Sequence, residues 1–182
     1  MTYYGSERLA DGFRTVRKNT ITIAEEIPAE KYAFKATPEV MSVGEMLAHL
    51  AVSTPWHIDV HSRHVPLIDF AMFSARRVER MAEEAALAGA GKDAILAALR
   101  QQGDAFATFL EGLDEATLAE TVRFPPPVKP EAKSRFEMLL GVKEHEMHHR
   151  GQLMLVQRLL GQVPHLTRVR QAQGQAQAAA TK

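Results

Sequence analysis

At 182 residues the chain is long enough for one domain with a sizeable core, and with no cysteine it can form neither disulfides, thiolate zinc sites nor a cysteine nucleophile. Any metal must therefore sit on His, Asp or Glu, while the balance of 22 Lys and Arg against 22 Asp and Glu gives no general attraction for nucleic acid or anionic lipid. The start MTYYGSERLADGF has no basic segment followed by an apolar one, and no run of about 18 apolar residues occurs, so a soluble cytoplasmic protein is expected.

Apolar residues recur at three- and four-residue steps and alternating Val/Ile/Thr stretches are nearly absent, which predicts an all-helical fold. The first predicted helix runs from about Ser6 to Glu26, with Leu9, Phe13, Val16, Thr20 and Ile23 on one face. The linker IPAEKYAFKATPEVM breaks it with two prolines. Ser42 and Glu45 then form an S-x-x-E capping box, placing a second helix from Val43 to about His64, ahead of Pro66. The stretch PLIDFAMFSARRVERMAEEAALAGAG reads as partly helical and closes on glycines. A third long helix is predicted from about Lys92 to Leu113, with Ile95, Leu99, Phe106, Leu110 and Leu113 on its inner stripe. FPPPVKPEAKS cannot continue a helix, because each proline removes a backbone donor and clashes with the preceding turn. The fourth starts near Ser134 and extends to Leu160, where Gly161 and Pro164 supply the stop. Four long amphipathic helices predict a four-helix bundle with a long connection between the second and third. Residues 1–167 are read as one domain, and RVRQAQGQAQAAATK, residues 168–182, as a solvated or frayed polar tail.

His145-Glu146-Met147-His148-His149 satisfies H-E-x-x-H, the mark of a zinc metalloprotease helix. The protease needs a third ligand downstream, yet no His occupies the extended-motif position and no Asp or Glu occurs from Arg150 to Lys182. The motif therefore reads differently. Met138, Val142, His145, His149, Val156 and Leu160 share one predicted face, whereas Glu146 and His148 project off it, with Glu146 expected at the surface. His145 and His149, one turn apart, can aim both imidazoles at one ion, which satisfies two buried polar rings at once. Upstream, His49 lies in a row with Met46, Ser53, Trp56 and Val60 on an inward face of the second helix, so histidines of two facing helices can meet inside a bundle.

SVGEMLAHLA on the second helix, with HEMHHRGQL on the fourth and the AEKYAFKATPEVMS linker that precedes the second, resembles the DinB superfamily over nearly the whole chain. The resemblance implies an up-and-down four-helix bundle, often a homodimer. It also implies that His49, His145 and His149 form a three-histidine site for a divalent metal, nickel or zinc. Family members of known activity include thiol-dependent transferases and an isomerase that uses low-molecular-weight thiols.

His57, His61 and His64 cluster on the second helix and are read as a solvated face near its end. Trp56, Phe70, Met72 and Phe73 are read as core in preference to the lining of an apolar pocket. Two functions follow. In one, a metal-dependent transferase or hydrolase acts on a small molecule, with a low-molecular-weight thiol as partner. In the other, a non-catalytic protein binds metal or ligand in a stress response. Three protein ligands leave coordination positions open, which favours the first, and no separate general base stands out.

Overall fold

Two capping boxes set the starts of the helices that carry the histidines. Ser42 Oγ accepts from the Glu45 amide at 3.2 Å while the Ser42 amide donates to the Glu45 carboxylate at 2.6 Å. Ser134 and Glu137 repeat the exchange at 3.1 and 2.7 Å. Each satisfies donors that a helix start leaves bare, an effect of about 1 kcal/mol. In this computed structural model, which describes residues 4–180, the chain is mostly helical. Its α-helices are α1 (Ser6–Glu26), α2 (Val43–Ser62), α3 (Phe70–Ala90), α4 (Lys92–Glu111), α5 (Glu115–Ala119), α6 (Arg135–Leu159) and α7 (His165–Ala180). Residues 1–3 and 181–182, the outer ends of the predicted domain and tail, lie outside the described residues.

The four predicted helices correspond to α1, α2, α4 and α6, with ends shifted by no more than two residues. The middle stretch differs: it is one continuous helix of 21 residues, α3, capped by Asp69, whose carboxylate accepts from the Met72 amide at 2.9 Å. Not one residue of α3 is fully buried; it lies on the outside of the bundle, with Met72 and Leu87 partly buried against the core clusters. The proline-rich segment also differs from an all-helical expectation. It is flanked by two short antiparallel strands, β1 (Thr121–Arg123) and β2 (Ala132–Ser134), in the register Val122 opposite Lys133. The chain between α2 and α3 joins them, since the Ile68 amide donates to Arg123 O at 3.1 Å and the Arg123 amide to Pro66 O at 2.9 Å. Residues of the predicted tail are helical in α7 and exposed from Arg168 to Ala179, while the start of α7 is tied to α1 by Arg168 to Glu26 and by His165 to Asn19.

α1 packs on α4 and α6, and α2 on α3, α4 and α6. One apolar cluster joins Ile23, Leu47, Leu50, Ile95, Leu99 and Leu153, and a second joins Leu9, Phe13, Phe106, Leu110, Leu139 and Val142. Each fully buried side chain of this kind contributes about 1.5–3 kcal/mol. Beside these clusters lies Arg17, 3 % exposed. Its Nε donates to both oxygens of Glu146 at 2.9 and 3.0 Å, its Nη1 to Leu99 O at 2.9 Å and its Nη2 to Leu50 O at 3.2 Å. One guanidinium thus links α1, α2, α4 and α6. Gly103 makes room for it: a Cβ there would stand 2.8 Å from Arg17 Cγ.

Glu146 is therefore not at the surface, as its position off the predicted stripe suggested, but 1 % exposed. The buried residues of α6 include Leu139, Val142, Glu146, His149, Leu153 and Gln157, a row rotated from the predicted one because α1 packs against α6 as well as α2. A buried carboxylate needs a partner, and Arg17 supplies it.

Candidate metal centre

α2 and α6 face each other where His49 meets His145 and His149. The one-turn spacing on α6 stacks His145 and His149 along its axis, and Nε2 of His145 lies 2.9 Å from Nε2 of His49 and 3.1 Å from Nε2 of His149. One nitrogen from each ring falls within 4.8 Å of the others. His149 is buried, while His49 and His145 are half-buried. His148, next in sequence, is exposed and meets His149 only edge to face at 5.1 Å between ring centroids, outside the cluster.

The outer nitrogens are held from behind. His49 Nδ1 lies 2.6 Å from Glu84 Oε1, and His149 Nδ1 lies 2.7 Å from Gln152 Oε1. Arg80 fixes Glu84 by donating to the same carboxylate oxygen at 2.5 Å. Its Nη1 also lies 3.0 Å from His49 Nδ1, so two N–H groups side by side converge on one acceptor. A neutral imidazole carries one N–H, and a carboxylate accepts without donating. Glu84 and Gln152 thus draw the hydrogens of His49 and His149 to Nδ1, leaving both Nε2 atoms as bare lone pairs. His145 has at most one Nε2 hydrogen to share between two short contacts. At least one of those two contacts therefore lacks a hydrogen.

Protons do not fill that gap near neutral pH. Burial, then the neighbouring His49 and His149, push His145 down to about 4, and burial lowers His149 against an opposing hydrogen bond from Gln152. Ring nitrogens converging from three histidines, with an acceptor behind two of them, are a donor set that suits a divalent transition metal. Glu146 takes no part. Both its oxygens accept from Arg17, so it is not the free base an H-E-x-x-H protease requires.

A cavity of about 460 Å³ opens beside the cluster, with His49 and His145 on its wall. Trp56 and Phe73 line it too, and Phe73 and Phe70 are 37 % and 51 % exposed, so these two phenylalanines are not core. Met72 and Trp56 do pack on a buried cluster, that of Val60, Ile68 and Val122, and Trp56 turns a face to the cleft as well. The reading of His57, His61 and His64 as a solvated face holds only for His64. His61 is fully buried and accepts at Nδ1 from Arg135 at 3.2 Å, because the strand pair and Arg135 cover the end of α2. His57 is half-buried on the cavity wall, stacked on His61 with centroids 6.0 Å apart. Burial, ahead of nearby charge, pushes His57 down to about 3 and His61 to about 4.

Sequence reasoning missed Glu84, Arg80 and Gln152. Gln152 is three residues past His149 on one helix, a spacing that could have been read. Glu84 and Arg80 belong to α3, whose placement rests on tertiary packing alone.

Comparison with known proteins finds matches in sequence and in structure. The sequence model of the DinB superfamily matches residues 13–153. The crystal structure of a DinB-like protein from Bacillus subtilis superposes with a TM-score of 0.62 at 19 % identity, covering 86 % of this chain and 93 % of that one. No curated protein matches the chain.

Proposed function

The chain belongs to the DinB superfamily, and from that premise we propose that His49, His145 and His149 hold a divalent metal ion, nickel or zinc. The observation that supports this is the hydrogen shortage of the cluster: two Nε2 contacts at 2.9 and 3.1 Å with one hydrogen at most between them. When bound, such an ion supplies Lewis acidity to a substrate thiol, water or carbonyl. The chain's own residues do the positioning. Glu84 and Gln152 fix the tautomers of His49 and His149, and the cavity beside His145 gives a small molecule access while Trp56 and Phe73 exclude water from one side. We read the activity as transfer or hydrolysis on a small molecule, with a low-molecular-weight thiol as partner.

The same reading takes α1, α2, α4 and α6 as an up-and-down four-helix bundle, residues 1–167 as the domain and 168–182 as its tail, in the cytoplasm. Among the described residues no helix is long and apolar enough to cross a membrane. Phe70, Phe73, Val78 and Met81 leave exposed apolar surface along α3, which supports a homodimer. Sedimentation showing monomer alone at micromolar concentration counts against that.

Metal analysis of five purified variants tests the centre. His49→Ala, His145→Ala and His149→Ala should each lose most of the metal, and His148→Ala should keep it. Glu146→Gln should keep the metal as well if it folds. Full retention in folded His49→Ala would defeat the assignment. Metal retention without turnover of any thiol adduct would favour the non-catalytic binding reading.

A further inference from the structure

The cavity beside the histidines is lined by three arginines of α3, Arg76, Arg77 and Arg80, and by no acidic residue. Two of the three are already engaged. Arg76 donates to Val52 O at 2.9 Å and pairs with Glu83 at 3.0 Å, and Arg80 pairs with Glu84. Arg77 has no hydrogen bond or ion pair among the described residues and is exposed at the cavity wall. Of the remaining wall, Trp56 and Phe73, whose ring centroids are 6.4 Å apart, form an apolar part with Met138 and Val142, while Ser53, His49, His57 and His145 are polar.

We propose that this cleft binds a small organic anion, with its carboxylate, sulfonate or phosphate on Arg77 and its apolar body against Trp56 and Phe73. The assignment rests on the reading of the cleft as a substrate site and names the substrate class. A guanidinium offers a planar fork of donors matched to an oxyanion, and a fork with no internal partner loses nothing when an anion arrives. Arg76 and Arg80 add to the positive field but hold carboxylates outside the cleft, so they steer more than they grip. At about 460 Å³ the space falls in the range of small-molecule pockets, roughly 300–1,000 Å³. The anion is thus held at the α3 side while the far end of the molecule reaches His145 and His49.

Trp56 is the chain's one tryptophan and stands on the wall of this cleft, so its fluorescence responds to a ligand bound there. The probes are 4-phenylbutyrate and its neutral amide, titrated at physiological salt into protein stripped of metal with EDTA. The acid should bind roughly tenfold more tightly than the amide, as a charge-assisted contact requires. Arg77→Gln should reduce that ratio below about twofold with amide binding unchanged, and Arg170→Gln, on the exposed tail helix, should leave the ratio intact. Equal affinities in the parent protein, a preference that survives Arg77→Gln, or loss of it in Arg170→Gln as well would overturn the proposal. So would saturable binding of neither probe by fluorescence and equilibrium dialysis. A preference present only after nickel is restored would place the anion on the metal, overturning the arginine assignment while leaving the metal reading in place. Retained preference in a protein that binds no nickel would do the reverse.

Discussion

His145 and Glu146 are neighbours in sequence, both turned into the protein from α6, and they belong to opposite kinds of polar cluster. Around Glu146 every demand is met from within: the carboxylate takes two hydrogen bonds from Arg17, and Arg17 spends its other donors on Leu99 and Leu50 carbonyls. Around His145 the demand exceeds the supply, since its one Nε2 faces the Nε2 atoms of His49 and His149 with at most one hydrogen to share. A saturated cluster fixes the packing of helices and has nothing left to offer a ligand. An unsaturated one, backed by Glu84 and Gln152, has the donors that the proposed cation would use. Burial and charge alone would not separate the two; counting hydrogens does.

The largest effect should come from breaking the saturated side. Glu146→Ala leaves the Arg17 guanidinium buried and unpaired, and urea unfolding of metal-free protein should show a loss of about 3–5 kcal/mol. The double change Arg17→Met with Glu146→Leu should recover most of it. A loss under about 1 kcal/mol in the single variant would mean the pair is not the central tie described above.

Next comes the unsaturated side, where the effect should move from stability to binding. His149→Ala should weaken nickel or zinc by more than about 100-fold in a competitive titration while changing metal-free stability by less than about 1 kcal/mol, because it removes a lone pair from an already short-handed cluster. In the parent protein, metal at about 100 times its Kd should raise stability by about 2.7 kcal/mol. Equal melting curves with and without bound metal would break the contrast.

A smaller step tests the support behind the rings. Glu84→Gln should weaken metal about 10- to 100-fold by loosening the tautomer of His49, with the ion still bound at high concentration. An unchanged affinity would show that Glu84 serves only to pair Arg80.

The smallest concerns a cluster between the two extremes. His61 accepts from Arg135 at Nδ1 but its buried Nε2 has no partner. Burial lowers it from the ordinary 6.5 to about 4. Above pH 6.5 it is neutral folded and unfolded, so its contribution is level. Below 6.5 the unfolded chain takes up a proton that the folded chain refuses. Stability then falls with pH, at up to about 1.4 kcal/mol per unit, and levels off near pH 4. Chemical unfolding of metal-free His61→Gln between pH 7 and 5 should show a visibly shallower slope than the parent; identical slopes would remove His61 from the account.

How much of this was legible in the sequence follows from what each element is built on. α1, α2, α4 and α6 announce themselves because each buries a stripe, and the Ser42–Glu45 box marks the start of α2 to the residue. His49, His145 and His149 are legible as a group because two are one turn apart and the third lies in an apolar row. α3 is legible only as a partly helical stretch, since none of its residues is fully buried, and with its placement go Glu84, Arg80 and the arginine wall of the cleft. Glu146 misled for a different reason. In α6 two partners, α1 and α2, demand two adjoining faces, and a charged residue on the second face looks like surface until Arg17 is found 129 positions away. His61 misled likewise, covered by a strand pair too short to signal itself.

Gly103 gives the saturated cluster a history as well as a shape. Its missing side chain is the channel through which the Arg17 stem passes, with the space for a methyl already taken at 2.8 Å. A change to alanine there must displace an arginine tied to three other helices, and a displaced Arg17 abandons Glu146. Positions 17, 103 and 146 are therefore coupled in a fixed order: the glycine cannot be traded while Arg17 stays, the carboxylate cannot be traded alone, and only the joint loss of Arg17 and Glu146 sets position 103 free.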